Sequence, residues 1–128
     1  MLRIAALDDS VPTVLLTGDI ERAQELELTE RVPRTALRAD VLLVPHHGSL
    51  TSSSPAFLDA VAPRLAVVQA GYLNRFQHPC PDVLARYRER GITLARTDRD
   101  GAVIVDLGPS ALQMQAWRAV RARYWQGR

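Results

Sequence analysis

No lysine occurs in this sequence; all sixteen basic residues are arginine. Codon bias in a GC-rich genome is the main account of that, although the planar guanidinium also suits phosphate recognition. Cysteine is nearly missing too: the single Cys80 excludes an internal disulfide and leaves the compartment open. No apolar run approaches the ~20 residues that a bilayer span needs. The longest, Val41 to Pro45, has the size of a strand. The opening Met1-Leu2-Arg3-Ile4 carries no signal-peptide pattern. Acidic residues stop at Asp106, and Arg118, Arg121, Arg123 and Arg128 follow without a counter-charge. A solvated terminal helix face is the simpler account of that run, and a net charge of +2 is too small to argue for nucleic acid. Internal repeats and low-complexity segments are absent.

What is present suits one globular domain. A chain of 128 residues, 47% hydrophobic and 23% charged, is long enough to bury a real core. Leu2 to Leu7 and Thr13 to Leu16 predict two strands around a turn at Asp8-Asp9-Ser10. Glu21 to Glu30 predicts a polar helix that buries Ile20, Ala23 and Leu26 and keeps its glutamates mostly elsewhere. Arg31 to Asp40 reads as a proline-interrupted connector. Val41 to Val44 reads as a strand buried on both faces. Ser54-Pro55 opens a helix to Ala62, Leu65 to Gln69 is the next buried strand, and Gly71 to Pro81 is a loop. The helix beginning at Asp82 runs to Arg90 and stops at Gly91. Thr93 to Arg96 and Ala102 to Leu107 predict a hairpin. Leu112, Met114 and Ala116 then alternate like an edge strand, and Trp117, Val120 and Tyr124 are spaced like a short helix. The alternation predicts an α/β fold with helices covering one sheet face. The other face has comparable apolar content and no evident cover in this chain, which points to a missing half or to a second copy of the chain.

The chemistry-bearing residues gather after the strands. His46 and His47 follow the third strand in Val44-Pro45-His46-His47-Gly48-Ser49, and imidazole is the commonest metal ligand. Successive residues of an extended chain point oppositely, so both can face one site only where the strand has broken. Pro45 and Gly48 favour such a break. Asp19 follows the second strand in Thr17-Gly18-Asp19; a helix N-cap is the simpler account of it, and a metal ligand the alternative. Ser49, Thr51 and Ser52, with Ser53 and Ser54, offer hydroxyls to phosphate oxygens beside the helix start near Pro55, or serve only as loop and capping groups. Asn74, Arg75 and His78 lie in the next loop, on the sheet edge where α/β proteins bind ligands. Cys80 reads as an inert thiol, and Asp98 and Asp100 as turn residues. A two-metal centre needs about eight donors, and Asp19 with three histidines does not complete one.

Taken in order, these motifs are recognisable. Leu15-Leu16-Thr17-Gly18-Asp19-Ile20-Glu21, then Ala39-Asp40-Val41-Leu42-Leu43-Val44-Pro45-His46-His47-Gly48-Ser49 with Thr51-Ser52-Ser53, resemble the metallo-β-lactamase-like domain of ComEC-type DNA-uptake proteins. So do Asn74-Arg75-Phe76-Gln77-His78-Pro79, Asp82-Val83-Leu84 and Arg96-Thr97-Asp98 before Gly101. The resemblance implies half of an αββα sandwich, with residues 1–128 as its C-terminal half and 108–128 as a terminal extension. The first half of such domains carries a His-x-His-x-Asp-His cluster that this chain lacks. It implies Asp19 as the bridging carboxylate, His47 as the late histidine ligand and His46 beside it on metal or substrate phosphate. His78-Pro79-Cys80-Pro81 stands where members often have His-Pro-His-Pro. The cofactor implied is a divalent metal, zinc or manganese, as two ions in the complete domain. The implied partners are the missing N-terminal half, DNA as substrate, and the membrane channel of a bacterial inner-membrane parent, with this domain on its extracytoplasmic side.

The reading is thus part of a metal-dependent phosphodiesterase or nuclease domain, nearly inactive as this chain alone. A hydrolase of a small ester or phosphodiester shares the same metal residues and would differ in its preference over DNA. A non-catalytic DNA-binding module would instead bind DNA with salt sensitivity, indifferent to chelator and to His47→Ala.

Overall fold

The computed structural model describes residues 1–6, 10–108 and 111–121. Its main sheet holds β1 (Leu2–Ile4), β2 (Val14–Leu16), β3 (Val41–Leu43), β4 (Leu65–Val68) and β5 (Thr93–Arg96), side by side in chain order. β1 is antiparallel to β2, and the remaining neighbours are parallel. The fold is α/β with a mixed sheet.

Parallel neighbours need crossovers, supplied by α1 (Arg22–Arg31) with α2 (Arg34–Leu37), then α3 (Pro55–Val61), then α4 (Pro81–Glu89). Crossovers of this kind are right-handed, so a strand order that never reverses places every helix on one face. On that face Leu15, Leu42, Ala66 and Val68 pack with Phe57, Leu58, Val61, Val83 and Tyr87. Strand-end punctuation follows the sequence. Ser54-Pro55 opens α3, Ala62 closes it in left-handed conformation, and α4 starts at Pro81, one residue before the expected Asp82.

Three expectations are corrected. Thr93 to Arg96 does not form a hairpin with Ala102 to Leu107. One turn of helix, α5 (Thr97–Asp100), intervenes, and the Asp100 carboxylate accepts the Arg96 amide at 2.8 Å, redirecting the chain. β6 (Val103–Leu107) instead pairs antiparallel with β7 (Leu112–Ala116), ahead of the short helix α6 (Trp117–Val120). Second, this hairpin covers part of the sheet face that lacked an evident cover: Val103, Val105, Leu107 and Leu112 pack on Val41, Leu65, Val67 and Ala95. The cover stops short of β1, where Leu2 and Ile4 stay 58% and 48% exposed.

Third, α1 turns a different side inward. Ile20 packs on the core, but Ala23 is exposed and Leu26 is 53% exposed, whereas Glu25 is fully buried. The Glu25 carboxylate accepts the backbone N–H groups of Ser53 and Ser54, the latter at 2.7 Å. A hydrophobic-spacing argument has no means of seeing that partner. The Arg31 to Asp40 connector also contains one turn of helix, α2, that its proline does not announce. The turn at Asp8-Asp9, together with Arg123, Tyr124 and Arg128, lies outside the described residues. Among the described residues no helix is long and apolar enough to cross a membrane.

α5 is held by charge as well as by its turn. The guanidinium of Arg96 donates to both oxygens of Asp98, at 3.1 and 2.6 Å, and holds that carboxyl below the usual carboxylate range. Burial pushes the Asp100 carboxyl upward, but Arg99 and the Arg96 amide outweigh it, and the net direction is down. A carboxylate depressed in the folded state stabilises it above the unfolded value of about 3.9 and stops doing so as pH falls through the folded value. The docking of α5 and α6 is therefore expected to hold from neutral pH to about 4 and to loosen below it. Trp117 fluorescence followed through an acid titration checks this; a transition near neutral pH would contradict it.

Candidate functional site

Register decides where the site forms. Leu16, Leu43 and Val67 are aligned across β2, β3 and β4, and Val68 is aligned with Arg96. The segments leaving these strands therefore emerge at one sheet edge, the carboxyl end of the parallel strands, where α/β sheets bind ligands. Asp19 arrives from β2, His46 and His47 from β3, Gln69 to His78 from β4, and Thr97 from β5.

The strand has broken at the paired histidines. Pro45–Gly48 forms a single tight turn in which His46 (φ 46, ψ 43) and His47 (φ 55, ψ 16) are both left-handed. Such residues cost on the order of 1–3 kcal/mol each, so the surroundings must enforce them. Ser52 does much of this. Its buried hydroxyl reaches the carbonyl oxygens of Pro45 and Ser49, both at 2.9 Å. The His46 amide donates to Gly18 O at 3.1 Å, tying the turn to the β2 exit, and the Cys80 amide donates to Gly48 O at 2.9 Å.

Gly48 completes the turn at φ +82, and a Cβ there would stand 2.6 Å from Pro79 Cβ. Gly48→Ala is expected to cost about 2–3 kcal/mol, combining left-handed strain with overpacking. It should also push the 78–80 segment away from the histidines. Chemical denaturation measures the first effect, and histidine NMR shifts the second.

The broken strand brings three imidazoles to one place. The ring of His46 lies 6.4 Å from that of His47 and 6.1 Å from that of His78. His47 Nδ1 is 2.8 Å from the Gln69 carbonyl oxygen. A carbonyl only accepts, so Nδ1 carries the hydrogen and, in the neutral ring, Nε2 keeps its lone pair. That nitrogen faces Asp19 Oδ1 at 3.6 Å, too far for a hydrogen bond. With the imidazole in that neutral form, two acceptors confront each other across a small gap. Bonds of about 2.1 Å at a tetrahedral angle would set such donors about 3.4 Å apart, so this pair fits the two arms of a metal site. The carbonyl behind the imidazole is the usual outer support of a ligating histidine.

His46 has Glu21 Oε1 at 2.9 Å from its Nδ1, but off the direction a hydrogen bond needs, so this buried nitrogen has no directed partner. Burial, and then the nearby His46 and His47, lower the His78 imidazole below its ordinary value. Among the described residues no group of three or more His, Cys, Asp or Glu side chains is set to hold one ion. Asp19 and His47 therefore fit part of a metal site.

Part of the hydroxyl run is taken up inside the fold. Ser52 is spent on backbone carbonyls, and the buried Ser53 hydroxyl meets Tyr87 Oη at 2.9 Å. The anion expected at the start of α3 is already there, in the form of Glu25. Ser49 and Thr51 hydroxyls face each other at 3.1 Å, Thr51 exposed. Asn74 acts as a loop staple: its side chain bonds both the amide of His78 at 3.0 Å and its carbonyl at 2.7 Å. Arg75 is exposed and lies over the Phe76 ring. Gln69, Glu21, Phe76 and Thr97 were not expected at the site. Gln69 acts through its carbonyl, which no residue type signals. A cleft of about 510 Å³ opens beside the histidines, lined by His47, Gln69, Asn74, Phe76, His78 and Thr97.

No family model matches the chain. Individual proteins do. The chain is 42% identical over 113 residues to competence protein ComA of Neisseria gonorrhoeae, covering 88% of this chain and 16% of that protein. It is 38% identical over 89 residues to ComE operon protein 3 of Bacillus subtilis, covering 70% of this chain and 11% of that one. It is 34% identical over 115 residues to recombination protein 2 of Haemophilus influenzae, covering 90% and 14%. The chain thus spans only 11–16% of the length of these relatives. The chain is accordingly homologous to one short segment of much larger proteins named for competence and recombination.

Proposed function

We propose that this chain is the C-terminal half of a metallo-β-lactamase-like hydrolase domain that cleaves phosphodiester bonds of DNA within a larger competence protein. The observation that carries the reading is the facing pair of acceptors, His47 Nε2 and Asp19 Oδ1, with the other imidazole nitrogen tied to Gln69 O. His47 and Asp19 would hold the metal, zinc or manganese, with His46 beside them on metal or phosphate. When bound, the metal lowers the pKa of a coordinated water toward ~7 and polarises the phosphodiester. This chain's own part is positional. The Gln69 carbonyl fixes the His47 tautomer, the Ser52 hydroxyl holds the strained turn, His78 lines the cleft that a phosphate would enter, and Arg75 lies over the Phe76 ring of its wall. The remaining ligands would come from the N-terminal half, seated against the sheet face that Leu2 and Ile4 leave bare. The membrane channel of the parent protein is the further partner in this reading, with the domain on its extracytoplasmic side.

The test uses the complete protein with DNA and with a small phosphodiester as competing substrates. DNA cleavage should depend on zinc or manganese, stop with chelator and return with metal, while the isolated chain stays nearly inactive. Preference for the small phosphodiester would favour a small-molecule hydrolase. DNA binding without cleavage, unchanged by chelator, would leave only a binding module.

A further inference from the structure

The chain is poor in aromatic residues, with two Phe, three Tyr and two Trp. Phe57 and Tyr87 are buried in the core, but Tyr72, Phe76 and Trp117 are 71%, 64% and 39% exposed. Each of these three rings carries an arginine: Arg75 at 4.7 Å from Phe76, Arg118 at 5.8 Å from Tyr72, and Arg121 at 5.0 Å from Trp117. Among the described residues none of these three guanidiniums joins an ion pair, whereas Arg31, Arg90, Arg96 and Arg99 all do. Arg118 also donates to the carbonyl oxygens of Asp98 and Arg99, at 3.3 and 3.1 Å, so α6 is anchored on α5 beside the cleft.

The rings connect to the site. Phe76 lines the cleft and is stacked on His78, with centroids 5.9 Å apart and planes 19° from parallel, and His78 in turn contacts His46. The paired histidines, His78 and Phe76 thus form one run of rings, and Tyr72, four residues before Phe76 in the same loop, carries Arg118. Exposed flat rings alternating with guanidiniums form the surface that unpaired nucleobases and their phosphates fit, because stacking needs a free base face. Duplex DNA keeps those faces covered.

We propose that Phe76 and Tyr72 are stacking positions for unpaired bases of the strand whose phosphate lies at the histidine site, a base taking the place over the Phe76 ring that Arg75 holds in the free chain, with Arg75 and Arg118 turned to the flanking phosphates. This rests on the DNA-hydrolase reading for its substrate but not for its measurement. The site thereby prefers single-stranded or frayed DNA over intact duplex.

The experiment measures fluorescence anisotropy of oligonucleotides on the full chain in chelator and low salt. Three probes of equal length are compared: single-stranded oligo-dT, an abasic strand carrying the same phosphates, and a duplex. Oligo-dT should bind most tightly. Phe76→Ala should weaken oligo-dT roughly fivefold or more, the effect of losing one stacked base, and leave the abasic strand unchanged. Phe76→Trp should restore or exceed the original affinity. Phe76 is exposed, so neither variant threatens the core. Equal binding of the abasic strand or the duplex, or a Phe76→Ala variant that binds oligo-dT normally, would overturn the proposal. Because no metal is present, loss of the hydrolase reading would leave these binding differences standing, and their loss would leave metal-dependent cleavage standing.

Discussion

In the complete protein, His47→Ala and Asp19→Asn should each reduce metal-dependent DNA cleavage by at least about 100-fold. Removing a mere outer-shell support already costs about 10–100-fold in metal affinity or activity, and these side chains are proposed to touch the metal directly. His47→Ala removes the nitrogen whose partner is Gln69 O, and Asp19→Asn keeps size while removing charge. Both side chains are more than half exposed, so the fold should survive either change. Cleavage rates under saturating metal, with circular dichroism as the control on folding, decide the matter. A folded His47→Ala protein that still cuts DNA at the original rate would remove His47 from the proposed centre.

The second expected result concerns stability. Glu25→Ala should destabilise the chain by roughly 3–5 kcal/mol, because it strips the acceptor from two backbone N–H groups at once. Ser53 lies buried, and its hydroxyl also supports Tyr87, whose phenol burial pushes well above its ordinary value. Arg86 donates to the carbonyl oxygens of Ser52 and Ser53 from the other side, at 2.9 and 3.3 Å. Without Glu25 the start of α3 has neither its anion nor a replacement, since the Ser54 side chain makes no capping bond. Glu25→Gln keeps one acceptor and sets an NH2 against the second donor, so it should recover only part of the loss. Urea denaturation measures both, and a loss under 1 kcal/mol for Glu25→Ala would show that water substitutes for the carboxylate. Against a typical total of about 5–15 kcal/mol, the larger figure threatens folding at physiological temperature. Because the neighbouring Ser52 holds the strained histidine turn through the Pro45 and Ser49 carbonyls, the damage should reach the site as well.

These two predictions mark the boundary between what was legible and what was not. Val41 to Val44 and Leu65 to Gln69 read as buried strands because apolar runs of that length have few other homes. Ser54-Pro55 and Gly91 punctuate their helices by backbone chemistry that acts within a few residues. The convergence of Asp19 with the histidine loop was legible for a similar reason, since successive parallel strands deliver their exits to one edge. Glu25 was misread because hydrophobic spacing scores a glutamate as outward. The hairpin was misassigned because the turn at Thr97–Asp100 takes its direction from Thr97 Oγ1 bonding Ala70 across 27 positions, and from Asp100. The sequence leaves Ser52 between a ligand and its own loop, and the structure turns its hydroxyl to the backbone of the histidine turn.

The sequence by itself determined the α/β alternation, the strand and helix ends, and which residues could bear metal chemistry, because those depend on local propensity and short-range pattern. Only the tertiary structure decided which nitrogen of His47 is free, which carboxylate caps α3, and how far the hairpin covers the sheet. Each of those rests on a hydrogen bond or contact between groups far apart in the chain, whose geometry exists only once the strands are in register.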